Sequence, residues 1–185
     1  EAVDSLRGWD RRWGERSVPT TLAVFWGDEQ WRAFADSART ADLAVYDYLV
    51  ARVPPAARLA ALAAAADTLA ARFGSWKTPW GEVNRFQRPA SDRGNTFDDA
   101  AASLPVPFAS GRWGSLASFG GRLEPRTKRL YGTAGNSFVA VVEFGPRVRA
   151  IAVMAGGASG DPRSRHFTDQ APRYARGMVT SPWPA

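Results

Sequence analysis

The segment from Pro55 to Gly74 constrains this chain more than any other. Pro54-Pro55 interrupts whatever precedes it, because proline lacks an N–H and fixes φ, yet proline suits a first helical turn. Alanine, the best helix former, then fills most positions, and Leu59, Leu62, Ala66, Leu69 and Phe73 fall near one face. Gly74 supplies the stop. Before it the pattern is helical as well. Ser17 is placed to cap a helix with Pro19 in its first turn, and Leu22, Phe25 and Trp26 stand at i, i+3 and i+4. Thr40 is expected to open the next helix, with Leu43, Tyr46, Leu49 and Val50 on one stripe.

After Gly74 the texture turns to tryptophan, glycine and β-branched residues. A short strand is expected around Val83 to Phe86, with Glu82 and Asn84 on one face and Val83 and Arg85 on the other. Residues 89–125, rich in Gly, Pro, Ser and Asp, read as a long irregular loop. Ser137 to Phe144 is a nearly continuous β-forming run, the pattern of a strand buried on both faces. Gly145-Pro146 marks a turn and Val148 to Met154 the returning strand. A short helix from about Asp169 to Arg176 precedes a proline-rich tail. Helices first and strands later give an α+β class, with a helical segment over 1–74 and a β-rich segment over 75–185 that form one incomplete domain rather than two independent ones.

Composition removes several function classes. The 185 residues contain no cysteine, which excludes disulfides, thiol nucleophiles and cysteine-ligated metals. No apolar run reaches the length of a membrane span, so the chain reads as soluble. Glu1-Ala2-Val3-Asp4 has neither the basic start nor the apolar stretch of a signal peptide, so any targeting segment is expected upstream or already removed. The net charge of +6 is uneven: residues 1–72 hold 9 Arg/Lys against 10 Asp/Glu, and residues 73–185 hold 15 against 8. The arginines are scattered over loops, the densest group being Arg126, Lys128 and Arg129, and no reading motif accompanies them, which disfavours nucleic acid.

The chemical constellations are thin. A serine–histidine–acid site would need His166, the only histidine, with Ser159 or Ser164 and Asp161 or Asp169. Triad members normally come from separate elements, so a structural hydrogen-bonding role suits His166 better. Gly156 to Gly160 lacks the Gly-Lys-Ser/Thr ending of a phosphate loop and reads as a tight turn. Asp98-Asp99, with Asp92 nearby, lacks the calcium-loop pattern, and one histidine without cysteine cannot build a zinc site. Tryptophans at 9, 13, 26, 31, 76 and 80 are expected in cores, since large aromatics bury the most area. Next to Trp80, the group Glu82, Asn84 and Arg85 reads equally as a cleft edge or as an internally paired network.

Two stretches carry a resemblance. Trp80-Gly-Glu-Val-Asn-Arg85 and the long block from Leu130 to Phe144 continuing from Ala155 to Gln170, with Tyr174-Ala-Arg-Gly177 after it, are similar to the C-terminal part of the penicillin acylase (penicillin amidase) family. That family's ending reads Gly-x-Ser-Gly-(Asp/Asn)-Pro-x-Ser-Pro-His-(Tyr/Phe)-x-Asp-Gln, and Arg165 stands where its proline is usual. Trp9-Asp10, Ser17 and Trp26 resemble the helical stretch before the family's Trp-Gly strand, and the chain looks closest to acyl-homoserine-lactone acylase-like members. The resemblance implies an αββα sandwich completed by these strands and an amidohydrolase of penicillin, cephalosporin or acyl-homoserine-lactone type. It implies an autoprocessed, periplasmic or secreted heterodimer whose nucleophile is a serine at the head of the β chain, activated by its own α-amino group. No residue here matches that serine, so no catalytic role, cofactor or metal is assigned to this chain, and alone it is expected to be inactive. The implied partners are the upstream α chain, the N-terminal part of the β chain and a small acyl amide. Trp80, Glu82, Asn84, Arg85, His166 and Asp169 are then structural: Glu82 and Arg85 in strand pairing or a buried ion pair, His166 and Asp169 in the turn after the last strand. The alternatives are a non-catalytic binding domain sharing the fold and a cationic nucleic-acid module. Lone strands from Phe138 to Val153 would leave apolar faces and edges unpartnered, which predicts poor solubility or oligomerisation.

Overall fold

A computed structural model describes residues 1–89 and 96–177. The chain divides into two compact units, one comprising Glu1–Arg12 and Ser17–Pro79, the other Trp13–Arg16 and Trp80–Ala185. The class is α+β, with helices first and antiparallel and mixed strands after them.

In the first unit, α1 (Ala2–Arg7) precedes α2 (Val18–Thr40), α3 (Val45–Ala51) and α4 (Pro55–Phe73). The Ser17 hydroxyl accepts the Thr20 N–H at 3.1 Å, satisfying a first-turn donor as expected of an N-cap. Leu22, Val24 and Phe25 of α2 and Leu62, Ala65 and Leu69 of α4 are buried and form this unit's core. Gly74 ends α4 in the left-handed conformation at φ +83°. The Trp26 indole donates to the Arg58 carbonyl at 2.8 Å, fixing α2 on α4. The Arg58 guanidinium in turn donates to the carbonyls of Val50 and Val53, where a cation suits the end of α3. Thr40 closes α2 instead of opening a helix. The stripe read from Leu43 fails with it: Leu43, Tyr46 and Val50 are exposed because α3 starts only at Val45 and has two turns. Leu59 also faces outward, 56% exposed.

The second unit opens with one helical turn, α5 (Trp80–Val83), running straight into β1 (Asn84–Phe86). The expected strand thus starts at Asn84, and Glu82 belongs to the turn, so the proposed alternation of Glu82 with Asn84 on one strand face does not hold. β2 (Leu104–Pro105), a 3-10 turn at Gly111–Trp113 and β3 (Phe119–Leu123) occupy the stretch read as irregular. β4 (Leu130–Gly135) completes a sheet of order β2-β1-β4-β3, in which only β1 and β4 run parallel. β5 (Phe138–Glu143) and β6 (Arg149–Met154) form a separate antiparallel hairpin pairing Phe138 with Met154 and Glu143 with Arg149. α6 (Ala171–Ala175) follows. The core gathers Val106, Phe108, Phe119, Val153, Tyr174 and Ala175. Phe86, Phe108, Phe119 and Tyr174 stack edge-on or tilted at centroid distances of 5.7 to 6.5 Å. β5 departs from the expectation of two buried faces. Among the described residues it has one partner strand, and five of its six residues are exposed while Val139 packs against the core. No single described helix is long and apolar enough to cross a membrane.

Candidate functional site

β2 is two residues long, so the backbone beyond it needs other hydrogen-bond partners. Asn84 provides them. Asn84 is 1% exposed, and its side-chain amide nitrogen donates to the carbonyls of Val106 and Phe108, each at 2.9 Å, while its backbone carbonyl accepts the Val106 N–H. A primary amide has two donors, and both are used. Its Oδ1, close to Gly121, has no partner among the described residues, and neither does the buried Trp80 indole N–H.

Arg85 reaches sideways from β1. Its guanidinium donates to the Gly81 carbonyl at 2.8 Å and to both the hydroxyl and the carbonyl of Ser103. Burial, then the neighbouring Arg129 charge, lowers its pKa below the ordinary guanidinium value. Glu82 is exposed and acts on Arg85 only as a nearby charge, so the pair does not form a buried ion pair. The forked donors of Arg85 are met by neutral oxygens instead.

Two residues past β1, Arg88 connects this strand to the turn after β6. It donates to the carbonyls of Phe167 and Ser159, and its guanidinium lies 4.0 Å from the centre of the Phe167 ring. The turn closes on itself. The Gln170 N–H donates to the Gly156 carbonyl at 2.9 Å, and the Gln170 side chain accepts the Met154 N–H. Gly157 passes so close to the His166 carbonyl and the Asp169 carboxylate that a β-carbon there would collide with both. Gly156 to Gly160 is therefore a packed turn, with the Ser159 N–H spent on the His166 carbonyl.

His166 Nδ1 lies 2.8 Å from Asp169 Oδ2, and Arg165 Nε donates to His166 Nε2 at 3.0 Å. An arginine donor at Nε2 requires a lone pair there, which puts the proton on Nδ1, donated to Asp169. That bond holds the Asp169 carboxyl below the usual carboxylate range. A serine base is thus not what His166 provides. The Ser159 hydroxyl accepts the Asp161 N–H and the Ser164 hydroxyl accepts the His166 N–H, and the His166 ring nitrogens are bonded to Asp169 and Arg165 rather than to either serine.

The acidic pair is also internally used. Asp99 accepts from the Tyr131 hydroxyl at 2.9 Å and from the Lys128 N–H, while Asp98 accepts the Ala100 N–H. Burial, and then the bond to Asp99, raises the Tyr131 pKa. Arg129, from the densest basic group, donates to the Asp99 carbonyl. Asp92 lies outside the described residues. Among the described residues no group of three histidine or acidic side chains is placed to hold a metal.

The fold therefore places Asn84 and Arg85 together on β1, with Trp80 one helical turn before them in α5, and His166 with Asp169 in the turn after β6, and Arg88 ties that turn to the end of β1. The penicillin amidase family model matches residues 1–184. This chain belongs to the penicillin amidase family. Both clusters lie within the match, as do α1 to α4, and the family consists of hydrolases that act on amides. A comparison with curated proteins returns no match. Within this penicillin amidase chain, sequence reasoning missed Arg88 and Ser103, and it named Gln170 in the family-like block without giving it a bonding role. Arg88 is one of 22 arginines, and its Phe167 partner lies 79 positions away.

Proposed function

We propose that this chain is the C-terminal portion of an acyl-amide amidohydrolase of the penicillin, cephalosporin or acyl-homoserine-lactone acylase type, whose serine nucleophile heads a chain segment upstream. In that reaction the serine oxygen adds to the amide carbonyl while the serine's own α-amino group takes its proton. The amine leaves with a proton returned to it, and water hydrolyses the acyl-enzyme to a carboxylic acid. The residues of this chain do not touch the reacting atoms. Asn84 and Arg85 hold β1 to the 103–108 segment, and the His166–Asp169 pair with Arg88 holds the turn after β6, so together they set the wall and floor on which the catalytic part rests. In the reading's finer form the mature protein is an autoprocessed heterodimer of the periplasm or exterior, and this chain alone is inactive as one incomplete domain.

The observation that carries this reading is the family match over nearly the whole chain. It is supported by the engagement of Ser159, Ser164 and His166 in turn bonds that leave no activated serine beside the histidine. The test is the intact mass and N-terminal sequence of every polypeptide in the purified protein, followed by assay with acyl amides. A companion chain beginning with serine, together with amide hydrolysis, is the expected result. Hydrolysis by a single species of 20.1 kDa would overturn the upstream nucleophile.

A further inference from the structure

The helical unit contains a cavity of about 440 Å³, well within the size of small-molecule sites. Its apolar walls come from three helices and the segment just after the first: Val3 and Leu6 of α1, Trp9 two residues past it, Trp26 of α2, and Leu59 and Leu62 of α4. Arg7 and Arg11 are the charged groups that line it, and no acidic side chain does. Leu59, 56% exposed, presents apolar surface to water at this cavity. The nearest carboxylate to Arg7 is Asp4 at 3.9 Å, with both side chains largely exposed, a geometry that holds the guanidinium weakly. Arg11 has no ion pair among the described residues and takes a left-handed backbone at φ +62°, unusual for a side chain of its size. Its neighbours fix that turn: the Trp9 indole donates to the Arg12 carbonyl at 3.2 Å, and the Arg12 N–H donates to Asp10 Oδ1 at 2.9 Å. One weakly paired and one unpaired arginine thus stand beside an apolar cavity, and guanidinium groups present the forked donors that match a carboxylate.

We infer that this cavity binds an unbranched acyl carboxylate of medium chain length, with the chain among Trp9, Trp26 and Leu59 and the carboxylate at Arg7 and Arg11. A neutral chain would fill the walls but leave the arginines unused, and a cationic amphiphile would be repelled by them. The inference does not rest on the hydrolytic reading, because binding is read without turnover and outside any residue assigned to it.

The test is tryptophan fluorescence of the full chain, titrated below the micelle concentration with octanoate, decanoate, 1-decanol and decyltrimethylammonium. Decanoate is expected to give a saturable change and to bind about fourfold tighter than octanoate for each added methylene. It should bind at least about tenfold tighter than decanol, and the ammonium should show no saturation. Arg7→Gln combined with Arg11→Asn should cost decanoate about tenfold and leave decanol unchanged. Asparagine tolerates the left-handed backbone, so the second substitution keeps the turn. Leu59→Asp, at an exposed position where the fold is not at stake, should abolish binding of both. Equal affinity for decanoate and decanol, full decanoate affinity in the double arginine variant, or no saturable signal at all would each overturn the inference. Helical circular dichroism matching the unmodified chain keeps the variant results interpretable. A sample that binds decanoate but hydrolyses nothing separates this inference from the failure of the proposed function.

Discussion

The four-stranded sheet and the β5–β6 hairpin are made from opposite sequence material. β1 is Asn-Arg-Phe, β2 is Leu-Pro and β3 is Phe-Gly-Gly-Arg-Leu, all short and none rich in β-branched residues. The hairpin strands, Phe-Val-Ala-Val-Val-Glu and Arg-Ala-Ile-Ala-Val-Met, are far better β formers. Yet the sheet carries Asn84, Phe119 and Tyr131 into the interior, while Phe138, Val141, Val142 and Met154 of the hairpin face outward. The two differ in what crosses between elements. Asn84, Arg85 and Tyr131 bond to segments 18 to 33 residues away, and an aromatic cluster fills the space beside them. The hairpin relies on its own ladder and touches the core through Val139 and Val153. Propensity thus selects strand backbone, and partners distant in sequence decide which strands are interior.

The comparison breaks most directly at Asn84. Asn84→Ala removes both donors from the Val106 and Phe108 carbonyls and leaves those buried acceptors unpaired, at a cost of about 3 kcal/mol. Denaturant unfolding measures it. A loss below about 1 kcal/mol would show that water reaches these carbonyls and that the sheet does not depend on the amide. The next effect is at the turn after β6. Gly157→Ala inserts a methyl against the His166 carbonyl and the Asp169 carboxylate, and is expected to cost about 2 kcal/mol. His166→Ala removes only the exposed ring bonds to Asp169 and Arg165 and should fall well below it. If the two variants are equally harmful, the histidine and not the close backbone approach organises the turn.

These sites also show how unevenly the fold was legible. Ser17, Pro55 and Gly74 act on their own helix, so their roles follow from sequence position, and Gly145-Pro146 marks the hairpin turn for the same reason. His166 and Asp169 stand three apart and were readable as a local pair. β3 was hidden because Gly120 and Gly121 break any strand periodicity, and its place comes from pairing with β4. Thr40 misled because a capping residue type also fits the last turn, where its hydroxyl bonds back to the Asp36 carbonyl. Arg88 and the left-handed Arg11 have no local signature at all. Their roles are set by a partner far along the chain in one case and by the path of the backbone in the other.

A smaller effect concerns protons. Burial pushes the Tyr174 hydroxyl up to about 12, and that hydroxyl donates to the Asn136 carbonyl at 2.8 Å. The folded state therefore favours the neutral phenol. Its contribution is complete below the unfolded value of about 10 and is lost as pH rises through about 12. Tyr131 acts in the same direction. Asp169 has the opposite sign: its lowered pKa contributes above the ordinary carboxylate range and is lost as pH falls through the folded value. Stability measured against pH should decline on the alkaline side in the unmodified chain and less steeply in Tyr174→Phe. An unchanged alkaline slope in that variant would place the titration elsewhere.

The smallest expected effect is the most informative about the hairpin. Val141 is 55% exposed, so Val141→Thr should change the stability of this chain by no more than about 0.5 kcal/mol. On the proposed function, upstream strands would cover the same face, and burying a hydroxyl there would then cost more than about 1 kcal/mol. Measuring the substitution in both settings converts the contrast between sheet and hairpin into a number. A near-zero effect in both would mean that the hairpin stays uncovered and that the upstream chain packs elsewhere. A large effect in this chain alone would mean that copies already cover one another's hairpins, and the midpoint would then rise with protein concentration. A cost that appears only with the upstream chain present is the result expected if the hairpin's apolar sequence was selected for a partner strand rather than for solvent.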